Sequence, residues 1–161
     1  MILPRASLGI DPGVSGGIAV IRPDGVVGFL RGFTPGMLEE DLVAAVKQAI
    51  SELQVSDPGR GAVFIEKVGY RPTDGGQGAF TFGSVFGLLR GAVLMAGYRP
   101  RYVYPQAWQA RMDCLTGGVK NVSKAAAAKL FPKERITHAV ADALLIAEYG
   151  RRVLAGRAAA T

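Results

Sequence analysis

The sequence predicts an α/β domain in which a mixed five-stranded sheet is covered by helices. Three observations carry this expectation. Short apolar runs separated by turn residues fill the first part of the chain, apolar residues recur at helical spacing from Met37 onward, and two later apolar runs each precede a helical pattern. The predicted order is three strands, a helix, a strand, a helix, a strand and three helices.

Ala6 to Ile10, Gly17 to Arg22 and Gly25 to Leu30 read as strands, and Arg22, Pro23, Asp24 and Gly25 form a hairpin turn between the last two. Leu38, Leu42, Ala45, Val46, Ala49, Ile50 and Leu53 then share one face of a helix. Gly59 to Glu66 is a buried strand. Ala79 to Gly97 is a helix whose glycines are expected on a close-packed face, with Phe80, Phe82 and Phe86 in the core. Tyr98 to Tyr104 gives the fifth strand. Pro105 suits the first turn of a helix reaching Cys114, with Trp108 and Met112 on one face. Ser123 is read as the cap of an alanine-rich helix that stops near Pro132, and Thr137 as the cap of a last helix running to about Ala155. Lys67 to Gly78 and Leu115 to Val122 are expected to be irregular, and so long a connection as the first implies a functional loop.

At 161 residues and 49% hydrophobic, the chain fits one domain over 1–161 with a core from about 6 to 155. It has no uninterrupted apolar stretch of about 18 residues and no charged start followed by an apolar segment. A cytoplasmic protein without a membrane role is expected. A lone cysteine, Cys114, excludes an internal disulfide and a cysteine cage, and a single histidine argues against zinc. Cys114 reads as small hydrophobic filler. The formal charge of +6 favours a polyanionic partner.

Three acids stand in apolar settings. Asp11 and Glu66 each end an apolar strand, and Asp142 lies within the run from Ala139 to Ala147. A buried ionised acid without compensation costs several kcal/mol, so three together imply a shared positive charge. A divalent cation supplies it most simply. Oxygen ligands from separate elements suit Mg²⁺ or Mn²⁺, and an acidic metal site in a basic chain points to phosphodiester cleavage. His138 lies four residues before Asp142 and therefore shares its helix face. The other ten acids read as ordinary turn or surface residues, Asp57 in its Asp-Pro-Gly turn among them.

Leu8 to Gly13 followed by Gly16 and Gly17, Phe64 to Val68, Tyr104 to Trp108, and Ala141 to Ala147 resemble the RuvC-type Holliday junction resolvases, in particular the small phage-borne branch. The resemblance extends over about residues 7 to 150. It implies a ribonuclease-H-like fold with sheet order 3-2-1-4-5, a homodimer, Mg²⁺ with Mn²⁺ as substitute, two ions per site, and paired nicking of four-way DNA junctions in recombination and repair. Asp11, Glu66 and Asp142 match the family's metal-binding acids. His138 stands where many members carry a fourth acid, as a metal ligand or a proton-transfer group. The family has basic residues near Lys120 and Lys124 that meet the scissile phosphate. Lys67, Tyr70, Arg71 and Arg111 complete the candidate DNA contacts, Tyr70 by stacking on an unpaired base. Gln109 occupies a place where relatives often carry lysine.

Other readings fit part of the pattern. The loop from Asp11 to Gly17 also resembles the first phosphate loop of actin-like and sugar-kinase ATPases, which need two such domains where this chain supplies one. A nuclease for flaps and forks, and a catalytically silent junction-binding protein, share the length and charge.

Overall fold

The computed structural model describes residues 4–69 and 72–159. Its strands are β1 (Ser7–Asp11), β2 (Gly17–Ile21), β3 (Val27–Gly32), β4 (Ala62–Glu66) and β5 (Arg101–Val103), and its sheet order is β3-β2-β1-β4-β5. β1 runs antiparallel to β2 and parallel to β4, and β4 runs parallel to β5. This is the expected mixed sheet in the expected order. The helices are α1 (Glu39–Ser56), α2 (Gly75–Met95), α3 (Pro105–Arg111), α4 (Lys120–Leu130) and α5 (His138–Ala159), and a short 3-10 turn spans Pro72–Asp74.

Strand alternation splits the chemistry between the two faces of the sheet. Leu8, Ile10, Val63 and Ile65 join Leu42, Val46, Ile50 and Leu53 of α1 and Leu89 and Val93 of α2 in one core. Phe64 on the other face packs with Trp108 of α3, Ala127 of α4 and Leu145 of α5 in a second.

α5 approaches the central strands so closely that side chains would not fit between them. A Cβ on Gly9 would lie 2.9 Å from the Ala147 Cα, and nearer still to the backbone N and O of that helical turn. On Gly17 it would press on the Ala139 carbonyl, and on Gly150 it would lie 2.6 Å from the Phe64 ring. Glycine is required at these places for space alone. Asp57 anchors the start of β1 from below, its Oδ2 accepting the Ala6 N–H at 2.9 Å. This acid is buried, which corrects its reading as an ordinary turn residue. Glu148 is likewise buried, on α5, where it receives Arg151 and Arg152.

Four further expectations are corrected. Ser123 does not cap α4, which starts at Lys120; Ser123 is buried in its first turns and donates to the Lys120 carbonyl at 3.2 Å. The irregular connection after β4 is shorter than read, because α2 starts at Gly75. The α2 glycines are not close-packed within the chain: a Cβ on Gly83, Gly87 or Gly91 would meet nothing within 4 Å. Phe80 is 78% exposed, and Phe86 rests at the edge of the core beside the Tyr102 ring. Pro72–Met95 is long and apolar enough to cross a membrane by length and composition alone. Its Leu89 and Val93 are nevertheless core residues of the sheet, and its outward side mixes exposed Phe80, Leu94 and Met95 with exposed Gln77, Thr81, Ser84 and Arg90.

Substituting Gly9→Ala is expected to destabilise the protein by at least about 1–3 kcal/mol, because the methyl meets backbone that cannot step aside. Gly156→Ala, in an exposed turn of α5 with open space around it, should be neutral or stabilise by up to about 1 kcal/mol. Chemical denaturation of the two variants checks the contrast.

Candidate active site

Asp11 and Glu66 end neighbouring parallel strands. Ile10 pairs with Ile65, so the next residue of each strand emerges at the same sheet edge, on the face covered by α5. The chain after Asp11 turns back at once: Asp11 Oδ1 accepts the Gly13 N–H at 3.1 Å, and the Gly16 N–H bonds the Gly13 carbonyl at 2.9 Å. A Cβ on Gly16 would lie 2.9 Å from the Asp11 carboxyl carbon. The loop is folded onto the acid.

α5 supplies the third acid. His138 is its exposed first residue, and Asp142 follows one turn later, over the end of β1. Burial lifts the Asp11 carboxyl from 3.8 to about 6; the Gly13 N–H opposes this, the Asp142 charge adds to it, and Lys120 opposes it. Asp142 is also raised, first by burial, against the opposing effects of the Ser123 hydroxyl, Lys120 and His138. Its Oδ1 is buried and has no hydrogen-bond partner. Burial thus raises both carboxyls, and the Asp142 charge raises Asp11 further, beside an acceptor oxygen with no partner.

Glu66 is held differently. Its Oε2 accepts the indole N–H of fully buried Trp108 at 2.7 Å. Among the described residues, no three Asp, Glu, His or Cys side chains stand close enough to enclose a metal as they are. The acids share one edge, with Asp11 and Asp142 coupled directly and Glu66 drawn onto Trp108. The donor set still fits a hard divalent cation: carboxylate oxygens from three elements, one of them orphaned, and no sulfur ligand. Cys114 is buried and its thiol is pushed up to about 11 by burial and then by Asp142 and Asp113, which fits its reading as filler.

Of the basic candidates, Lys120 opens α4, is exposed, and acts on both Asp11 and Asp142; Lys124 lies one turn further on and is half-buried. The Lys67 ammonium sits 5.0 Å above the centre of the Tyr104 ring. Arg111 is exposed in the last turn of α3. Tyr70 and Arg71 lie outside the described residues. Sequence reasoning missed the roles of Trp108 and Ser123. Trp108 carried a usable signal, since a lone buried indole must place its N–H on an acceptor.

Comparison with solved structures matches this chain over nearly its whole length. RuvC of Thermus thermophilus in complex with a Holliday junction substrate matches with a TM-score of 0.66 at 20% identity, covering 95% of each chain. A second Thermus thermophilus RuvC structure matches with a TM-score of 0.61 at 18% identity, covering 94% of this chain and 95% of that one. The fold is that of RuvC: a mixed five-stranded sheet of order 3-2-1-4-5 flanked by helices. No family model matches the sequence, and no curated protein matches it.

The raised Asp11 carboxyl has a consequence for stability with a definite sign. Folding favours protonated Asp11, so its penalty is absent below about pH 4 and complete once the pH exceeds about 6. In EDTA, Asp11→Asn should therefore be more stable than wild type by about 1–3 kcal/mol near pH 8, and the difference should vanish towards about pH 4. Denaturation at the two pH values reads it directly.

Proposed function

We propose that this chain is a RuvC-type resolvase, a metal-dependent endonuclease that makes paired nicks in four-way DNA junctions as a homodimer in the cytoplasm. The observation that carries this is the half-buried, desolvated Asp11–Asp142 pair, with an orphaned carboxylate oxygen, at the end of the central strand of a RuvC fold. A bound pair of Mg²⁺ ions would relieve that repulsion, activate water and stabilise the departing 3′ oxygen.

The chain's own residues divide the remaining work. Asp11, Glu66 and Asp142 supply the ligands. His138, exposed at the start of α5 and four residues from Asp142, supplies a further ligand or takes up a proton at the site's rim. Lys120 projects from the first turn of α4 beside both aspartates and attracts the scissile phosphate, with Lys124 behind it. Lys67 and Arg111 extend the surface towards the DNA arms, and Tyr70 and Arg71 are proposed as further DNA contacts. No side-chain nucleophile is required.

The outward side of α2 supports the homodimer. Gly83, Gly87 and Gly91 leave an open lane on one helix face, and Leu94 and Met95 are exposed at its end. A two-fold contact along this lane would cover Leu94 and Met95 and give each strand of a symmetric junction its own active site. The reading as a general flap and fork nuclease shares the acid site and differs in substrate preference.

Incubating the protein with Mg²⁺ and labelled four-way, flap and linear duplex DNA tests the reading; symmetric cuts confined to the four-way substrate support it, and equal cutting of forks replaces it by the broader nuclease. Asp11→Asn, Glu66→Gln and Asp142→Asn should each lower cleavage at least about 100-fold while junction binding in Ca²⁺ is retained, measured by gel shift. Gly87→Glu should yield a monomer by light scattering, and uncorrelated single nicks on a cruciform plasmid. A dimeric Gly87→Glu protein would remove α2 from the interface.

A further inference from the structure

Trp108 is the only tryptophan in the chain, and it is completely buried. Its indole nitrogen is a donor with no acceptor capacity, so burial obliges it to find one acceptor. The acceptor is a carboxylate oxygen of Glu66, at a distance typical of a charge-assisted bond. This pairing is built into the sheet. Glu66 lies opposite Val103 in the β4–β5 register, and the Lys67 N–H bonds the Val103 carbonyl at 2.7 Å. Tyr104 and Pro105 then turn the chain straight into α3, which delivers Trp108 beneath Glu66. The ring packs in the same cluster as Phe64 of β4 and as Ala141 and Leu145 of α5, the neighbours of Asp142 along the helix. One side chain therefore ties the strand that bears Glu66 to the helix that bears Asp142.

We propose that Trp108 is the positioning residue for Glu66, fixing the carboxylate by one oxygen so that its orientation towards the metal is set before the metal arrives. The inference rests on the metal-dependent reading above. A carboxylate at a strand end has free rotation about three bonds, and only a rigid partner restricts it. The indole is such a partner because close packing fixes its own orientation. Trp108 touches neither substrate nor the reacting atoms; it acts through Glu66.

Two measurements on the full-length protein test this. Mn²⁺ binding is followed by electron paramagnetic resonance in wild type, Trp108→Phe, Glu66→Gln and the double variant, with unfolding curves confirming that each is folded. Trp108→Phe keeps the aromatic packing and loses the N–H. It should weaken Mn²⁺ binding about 10- to 100-fold, and the double variant should bind no more weakly than Glu66→Gln alone. Wild-type affinity in Trp108→Phe, or fully multiplicative effects, overturns the positioning role while a weakened Glu66→Gln leaves the metal site standing. Loss of neither, or no Mn²⁺ bound by wild type, overturns both. The second measurement needs no Trp108 variant: Mg²⁺ titrated into wild type should change the single tryptophan's emission saturably, and Glu66→Gln should abolish the change. Emission unmoved by Mg²⁺ at concentrations that saturate binding overturns the proposal.

Discussion

The backbone-to-backbone seat of α5 on β1 and β2 is the constraint on which the rest of the structure depends. Gly9 and Gly17 remove the side chains that would hold the helix off the sheet, and Gly150 does the same where α5 passes Phe64. With the helix that low, Asp142 reaches the end of β1 and is desolvated beside Asp11. A helix riding on ordinary side chains would stand further from the sheet, and Asp142 would be carried away from Asp11. The electrostatic tension of the site follows from three missing methyl groups.

That tension is built from unequal parts. Asp11 is relieved by the Gly13 N–H and by Lys120, whereas Asp142 keeps one oxygen with no partner at all. Glu66 is held in a third way, by an indole hydrogen bond to one of its oxygens. Three carboxylates that look alike in sequence thus enter the site in three different states. A ligand that meets all of them must satisfy the orphaned oxygen of Asp142 and compete with nothing there, while at Glu66 it shares the carboxylate with a fixed donor.

Much of this was legible in the sequence because apolar periodicity and turn residues are local signals. The hairpin from Gly17 to Leu30, the helix face from Leu42 to Leu53, and the strand ends at Asp11 and Glu66 all depend on neighbours a few residues away. Placing acids in apolar runs marked the site for the same reason. What could not be read depends on distant partners. Asp57 looks like any Asp-Pro-Gly turn until the Ala6 N–H is seen above it, and Ser123 looks like a helix cap until α4 is found to start at Lys120. The glycines of α2 carry the same composition as a packed face, and only the coordinates show the space beside them empty.

The outward side of α2 has an implication for how the sequence can change over generations. A side chain added at Gly83 or Gly87 would meet nothing inside its own chain, and Met95 is 89% exposed, so packing within a single copy sets no requirement there. Glycine inside a helix is a cost to the single fold, so stability alone would replace Gly83 and Gly87 by alanine.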